Sequence, residues 1–305
     1  MIVFHELSTL SPIRCVGERS FWEKIMFLIE LSQNHMNTTF FLALSVAEEQ
    51  VPEAEKKLKN CLQMLVPIED TISEFRPLSD LSRLKNTKVN ERIKVSGHTL
   101  YLLEESNRIA KWSGEAFNPS FRSRNQLPLD QNFSWDIKDQ TVWKLNSNAI
   151  LGFGAIGKGY ALDVIHRELT DAGYTNFRLN AGGSSMIFSG VENKQVPWRF
   201  GLALRKNGTG YDGLQFECRT TPLFLGISGS LEQGEHIHRS STNPVEPRNV
   251  GVTAASCTRA DAFSTAIFAT PELVEKYVDG AFVLVDNEET IYSNTTFEQQ
   301  FRGLS

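Results

Sequence analysis

Apolar residues recur at three- and four-residue steps over Ala54, Leu58, Cys61, Leu62, Leu65, Ile68 and Ile72, with charged residues between them. That period predicts an amphipathic helix with one face in the core. A second helix is predicted from about His98 to Ser113 and closed by Gly114, since glycine readily takes the left-handed conformation that ends a helix. A third carries Tyr160, Ala161, Val164, Ile165 and Leu169, with Gly173 just beyond its end. A fourth begins near Arg259 and is stopped by Pro271, and a short one (ELVEKY) follows. Phe21 to Leu31 is apolar but interrupted by Glu23, Lys24 and Glu30, and reads as one more amphipathic helix.

Other stretches carry the residues of strands. Asn37 to Ala47 (NTTFFLALSVA) is one, and Trp135 to Asn146 alternates as a hairpin around Lys138-Asp139. Trp198 to Arg205 and Leu223 to Ile227 are two more, separated by the turn-rich Asn207 to Gly213. Val250 to Ala255, AFVLV near the carboxy terminus and an edge strand near Ile291 complete the set. Ile72 to Asn86 breaks its period at Pro77 and reads as a polar loop, of the kind that lines pockets. Several strands are neighbours in sequence, which favours an α+β fold with mixed or antiparallel sheets and packed helices over a doubly wound parallel one.

Composition narrows the classes. The 305 residues are 41% hydrophobic with a net charge of −5, which suits a globular protein and argues against nucleic acid as a partner. The interrupted Phe21–Leu31 stretch cannot span a bilayer. The amino terminus lacks the basic region and unbroken apolar run of an export signal, so a cytoplasmic location is expected. Cys15, Cys61, Cys218 and Cys257 show no C-x-x-C spacing and are expected as reduced thiols rather than zinc ligands.

The chemistry concentrates in Gly152 to Gly183, GFGAIGKGYALDVIHRELTDAGYTNFRLNAGG. A glycine-dense turn opens a helix, where unpaired N–H groups favour an anion, and Lys158 sits among the glycines. A phosphate-bearing nucleotide or dinucleotide is the implied ligand. Gly152, Gly154 and Gly157 satisfy G-x-G-x-x-G, yet the following strand ends at Asn180 rather than at an acid. Gly152 to Gly159 nearly spell a P-loop, with Gly159 where Ser or Thr would hold magnesium. A second constellation lies further on. Asp261 and Thr265 stand four apart in a predicted helix, so both point from one face and can offer hard oxygen ligands to magnesium. His236 follows a strand and a glycine-serine turn, where a histidine can act as a general base or simply sit on a surface loop. Ser228 and Ser230 in GISGS are out of register for the G-x-S-x-G elbow.

Taken together, seven segments in order over about residues 36 to 295 resemble the ApbE family of FAD:protein FMN transferases. They are MNTTF, ISEFRPLSDLSRLKN, FNPSF, GAIGKGYALD, NAGGS, GISGS with the later His236-Ile237, and ADAFSTAIFA. The resemblance implies an ApbE-like domain over 36–305, preceded by an extension, 1–35, of uncertain role. It implies metal-dependent cleavage of FAD at its pyrophosphate, transfer of FMN to a Thr or Ser hydroxyl of an acceptor protein, and release of AMP. Carried over residue by residue, Lys158 is expected near the diphosphate and Asp163 near the nucleoside end. Phe75, Ser79, Asn180, Gly182, Gly183 and Ser228 are expected to bind FAD. Asp261 and Thr265, with a backbone carbonyl near Ala155, are expected to hold Mg²⁺, and His236 is the candidate base. The chain departs from the family pattern at Gly152, where an Asp is usual, at Asn37, where a Gly is usual, and at His238-Arg239-Ser240, which replace Ile-Asp-Pro. Two alternatives therefore stay open: hydrolysis of FAD to FMN and AMP, and a non-catalytic flavin-binding or assembly protein. An NAD-linked dehydrogenase rests on the glycine spacing alone.

Overall fold

The computed structural model describes residues 26–123, 127–193, 195–207, 210–229, 247–286 and 289–304. Strands β1 (Met26–His35) and β2 (Thr38–Ala47) form a ten-pair antiparallel hairpin. Its two-residue turn, Met36-Asn37, has φ of 50° and 59°. Both central residues of such a turn need positive φ, which asparagine tolerates better than most side chains, so Asn37 can serve where glycine is usual. The helix expected over Phe21–Leu31 is not found from Met26 onwards. Ile29 and His35 are buried while Glu30, Ser32 and Asn34 face outwards, a period of two that belongs to a strand. Glu30, which interrupts the apolar run, is an outward position paired with Arg178 at 2.6 Å.

The chain continues through α1 (Val51–Ile72), α2 (Asp80–Asn86), β3 (Ile93–Lys94), α3 (Gly97–Ser113), α4 (Leu129–Asn132), β4 (Phe133–Asp136) and β5 (Thr141–Lys144). All seven apolar positions of the first predicted helix are buried in α1, and Gly114 caps α3 at φ 63°. The polar loop expected over Ile72–Asn86 ends in a helix instead. Ser79 accepts the Ser82 N–H and so starts α2, whose Leu81 and Leu84 turn inwards. Next come α5 (Gly157–Asp171), β6 (Phe177–Ala181), β7 (Ser185–Ser189), β8 (Arg199–Asn207), β9 (Gly210–Cys218), β10 (Leu223–Gly229), β11 (Pro247–Ala254) and α6 (Cys257–Ala269). A 3-10 turn at Pro271–Lys276, β12 (Phe282–Asp286), β13 (Ile291–Ser293), α7 (Thr295–Gln300) and β14 (Phe301–Leu304) close the described chain. Of the turn-rich Asn207–Gly213, Asn207 ends β8 and Gly210 to Gly213 belong to β9, which pairs antiparallel with β8.

An eight-stranded sheet, ordered β1-β2-β6-β7-β10-β11-β12-β13, organises the molecule. Every neighbouring pair in it is antiparallel. Leu42, Leu44 and Leu179 on one face pack with Leu58 and Leu65 of α1 and Ile165 and Leu169 of α5. Phe188, Leu225 and Val283 on the other face pack with Phe200 and Phe216 of a three-stranded sheet, β14-β9-β8, and with Trp198 just before it. This is the α+β architecture expected from the order of elements. Among the described residues no helix is long and apolar enough to cross a membrane, and Cys61, Cys218 and Cys257 are buried without disulfides.

Helix α6 runs through the centre, in backbone contact on two sides. A Cβ on Gly159 would lie 2.2 Å from the Cys257 carbonyl oxygen, and one on Gly226 would lie 2.2 Å from that of Ala260. Gly159 therefore fixes the spacing of α5 and α6, which carry the two halves of the site. Gly159→Ala is expected to cost about 3 kcal/mol of stability, read as a lower urea midpoint; an unchanged midpoint would mean the helices can part without penalty.

Candidate active site

The glycine turn is tightened by the Phe153 carbonyl, which accepts the Ile156 and Gly157 N–H groups at 3.2 and 2.7 Å. In the first turn of α5 the Gly159 N–H bonds Asp261 Oδ2 at 3.1 Å. Lys158 Nζ lies 3.9 Å from the same oxygen and donates to the Gly154 carbonyl at 3.1 Å. Two motifs 102 residues apart in sequence thus meet on one carboxylate. The Asp261 side chain is 3% exposed and that of Lys158 is 16% exposed, so their charges act in a poorly screened setting.

On the next turn of α6, Ser264 Oγ and Thr265 Oγ1 donate back to the Asp261 carbonyl at 2.9 and 3.2 Å. Ser228, near the end of β10, places its hydroxyl 3.0 Å from Ser264 Oγ and 3.3 Å from Thr265 Oγ1. Ser264 is a member that motif reading misses; its only signal is a third hydroxyl-bearing position in a helix otherwise rich in Ala and Phe. Ala155 lies in the glycine turn itself, half-buried, next to Gly154. Among the described residues no group of three or more His, Cys, Asp or Glu side chains could hold a metal. What is present is one buried carboxylate, hydroxyl oxygens and backbone carbonyls. That set fits Mg²⁺, which is commonly held by one or two carboxylates and completes its shell with water and substrate phosphate.

Gly182 and Gly183 form the β6–β7 turn, and Asn180 stands near the end of β6. Asn180 Oδ1 accepts the Gly183 N–H at 2.8 Å, and the Gly182 N–H reaches the Thr39 carbonyl at 3.0 Å. Gly182 has φ of 61°, and a Cβ there would lie 2.1 Å from Thr38 Oγ1. The following Ser184 carbonyl accepts the Ile227 N–H at 2.7 Å, which sets this turn beside the strand end that carries Ser228.

Asp163 and Ser79 have other work. Asp163 accepts the Cys257 N–H at 2.9 Å, the Thr258 N–H at 2.8 Å and the Thr258 hydroxyl at 2.5 Å. Both its oxygens are therefore engaged at the N-terminus of α6. Burial pushes its carboxyl above the usual range, against the pull of those donors. Asp163→Ala is expected to lower stability by about 2–4 kcal/mol by leaving helix-terminal donors unpaired, seen in urea unfolding; a midpoint like that of the parent would deny the anchoring role. Ser79 is 1% exposed; besides capping α2, its hydroxyl donates to the Ser73 carbonyl at 2.6 Å. Phe75 is 73% exposed and borders a cavity of about 210 Å³ with Glu74, Lys85, Arg122 and Leu151. His236 lies outside the described residues.

A mixed α+β protein with a lysine-bearing glycine turn set against a buried acid and hydroxyl group is the class that fold and site define. The ApbE family model matches residues 36–129 and 123–280, and the chain belongs to the ApbE family. A relative described as an FAD:protein FMN transferase, from Vibrio cholerae serotype O1, is 24% identical over 82% of this chain and 84% of its own length. Among solved structures, the flavin transferase ApbE from Vibrio cholerae superposes with a TM-score of 0.74 at 18% identity, covering 90% of this chain and 99% of that one. The Pseudomonas stutzeri flavinyl transferase ApbE gives 0.73 at 17%, covering 93% and 99%. The ApbE protein of Thermotoga maritima gives 0.72 at 19%, covering 90% and 99%. These structural likenesses establish the shared fold.

Proposed function

We propose that this chain transfers FMN from FAD to a Thr or Ser hydroxyl of an acceptor protein and releases AMP. The observation that carries the reading is the meeting of Lys158, the Gly159 N–H and Asp261 at one point between α5 and α6. Cleaving a diphosphate requires positive charge on its oxygens and a path for the nucleophile's proton. Lys158 supplies one positive charge to the diphosphate, and the glycine turn lets backbone approach it closely. Asp261 and Thr265, with the Ala155 carbonyl, would hold Mg²⁺, which when bound adds further positive charge to the diphosphate oxygens. Ser228 supports Thr265 through its hydroxyl, and the turn that follows Asn180 lies beside the strand end that carries Ser228. Phe75, on the border of the cavity of about 210 Å³ that Leu151 also lines, is given the flavin, and Ser79 fixes the loop that carries it. In this reading His236 accepts the proton of the acceptor hydroxyl as the new O–P bond forms and the bond to AMP breaks. Asp163, which anchors α6, is the residue expected near the nucleoside end.

Incubation with FAD, Mg²⁺ and an acceptor protein is expected to yield AMP and acceptor heavier by one FMN, in equal amounts by chromatography and mass spectrometry. AMP without adduct would replace transfer by hydrolysis. FAD binding with neither product would make the chain a flavin-binding protein. His236→Ala is expected to slow transfer about 10²-fold or more while leaving the dissociation constant for FAD within about twofold; weakened binding with intact turnover would reverse that assignment.

A further inference from the structure

The loop between α1 and α2 carries a carboxylate that the proposed chemistry leaves unused. Glu74, with a side chain 18% exposed, is held by Arg122 at 2.7 Å although the two are 48 residues apart. Its place is unusual. A Cβ built on Gly152 would lie 2.5 Å from Glu74 Oε1 and 2.9 Å from Cδ. The carboxylate thus fills the volume in which a side chain at position 152 would begin. Gly152 does not have a positive φ, so its backbone would accept an ordinary residue, and the three atoms nearest to such a Cβ all belong to Glu74.

The same carboxylate lines the 210 Å³ cavity beside the glycine turn. Leu81, Ile150 and Leu151 give that cavity apolar walls, and Phe75 offers an aromatic face. Its charged groups are one carboxylate and two cations, Lys85 and Arg122. An imide edge presents one N–H between two carbonyl oxygens, so it needs one acceptor and two donors. Burial raises the Glu74 carboxyl above the usual range, with Arg122 and then Lys85 pulling it back, as fits a group enclosed beside both cations.

We propose that Glu74 is a specificity-determining residue: its carboxylate stands in for a side chain at 152 and, with Arg122 and Lys85, receives the imide edge of the flavin ring. This rests on the reading of FAD as substrate. It assigns the flavin end, rather than the adenine end, to the cavity between Phe75 and the glycine turn.

The test measures binding of FMN, AMP and FAD by calorimetry to the full chain and to Glu74→Ala, Gly152→Ala and the double variant Glu74→Ala/Gly152→Asp. Glu74→Ala is expected to weaken FMN and FAD about tenfold or more, the loss of one charge-assisted hydrogen bond, with AMP unchanged. Gly152→Ala, which must displace the carboxylate, is expected to do the same with Glu74 still present. The double variant returns an acid to the same place from the other chain segment and is expected to recover most of the loss. Parental FMN affinity in Glu74→Ala, equal losses for FMN and AMP, or no recovery in the double variant would each overturn the assignment. Glu74→Gln carries the same comparison if Glu74→Ala does not fold. A parent protein that binds no flavin removes the FAD reading together with this one, whereas a parent that binds FAD and variants that match it remove this one alone.

Discussion

Asp261→Asn is expected to abolish Mg²⁺-dependent release of AMP from FAD, by about 10³-fold or more, while FAD still binds. Asparagine has nearly the shape of aspartate, and its carbonyl can still accept the Gly159 N–H that ties α6 to α5. The fold therefore has little reason to change, and the urea midpoint should stay near that of the parent. What disappears is the negative charge, the one carboxylate among the oxygen groups gathered there. A divalent cation held by hydroxyl and carbonyl oxygens alone binds weakly, because the ion's hydration is hard to replace with neutral ligands. Excess Mg²⁺ should then restore part of the activity in Asp261→Asn, and chelation should silence the parent. Full turnover by Asp261→Asn at ordinary Mg²⁺ would show that the cation is held elsewhere.

Much of the fold is legible in the chain because period and punctuation agree. The run Ala54–Ile72 has a helical period and no competing signal, and Gly114 and Gly173 stand just past two helix ends, both with positive φ. Where the sequence misleads, two signals compete. In Met26–His35 the charged Glu30 breaks an apolar run and imitates the polar face of a helix, while the alternation that marks a strand shows only from Ile29 onwards. In Ser79–Asn86 the proline at 77 hides a seven-residue helix too short to show its own period. The cap Ser79 and the inward Leu81 and Leu84 were the available signs.

The site divides in the same way. Lys158 among glycines and the Asp261–Thr265 spacing are local patterns, visible in a few letters. Their meeting depends on Gly159 and Gly226 letting α6 lie in backbone contact with α5 and β10, which no local pattern states. Asp163 carries a second role that its motif does not state: its carboxylate anchors the N-terminus of α6. A motif residue can hold the frame on which the ligand groups are mounted. Glu74 and Arg122 leave no trace in the sequence because what makes them a pair is the absence of a side chain at Gly152.

Lys158→Met should separate the lysine's part from the metal's. Methionine keeps a long apolar stem, so the packing at the start of α5 changes little, but the positive charge is lost. AMP release is expected to fall about 10²- to 10³-fold in kcat, with a smaller change in FAD affinity, because charge on the bridging diphosphate grows as the bond breaks. The metal dependence should move the opposite way from Asp261→Asn. With Lys158 Nζ only 3.9 Å from Asp261 Oδ2, the lysine and a bound cation repel each other, so its removal should leave the Mg²⁺ requirement equal or lower. Lys158→Arg is not expected to rescue: Nζ bonds the Gly154 carbonyl at 3.1 Å, within a turn built for a compact ammonium, and the broader guanidinium fork cannot take the same place. The double variant Lys158→Met/Asp261→Asn should be little worse than Asp261→Asn alone, since both groups act on one diphosphate and such losses do not add. Fully additive losses, or a Lys158→Met enzyme that needs more Mg²⁺ than the parent, would mean that lysine and carboxylate serve separate centres.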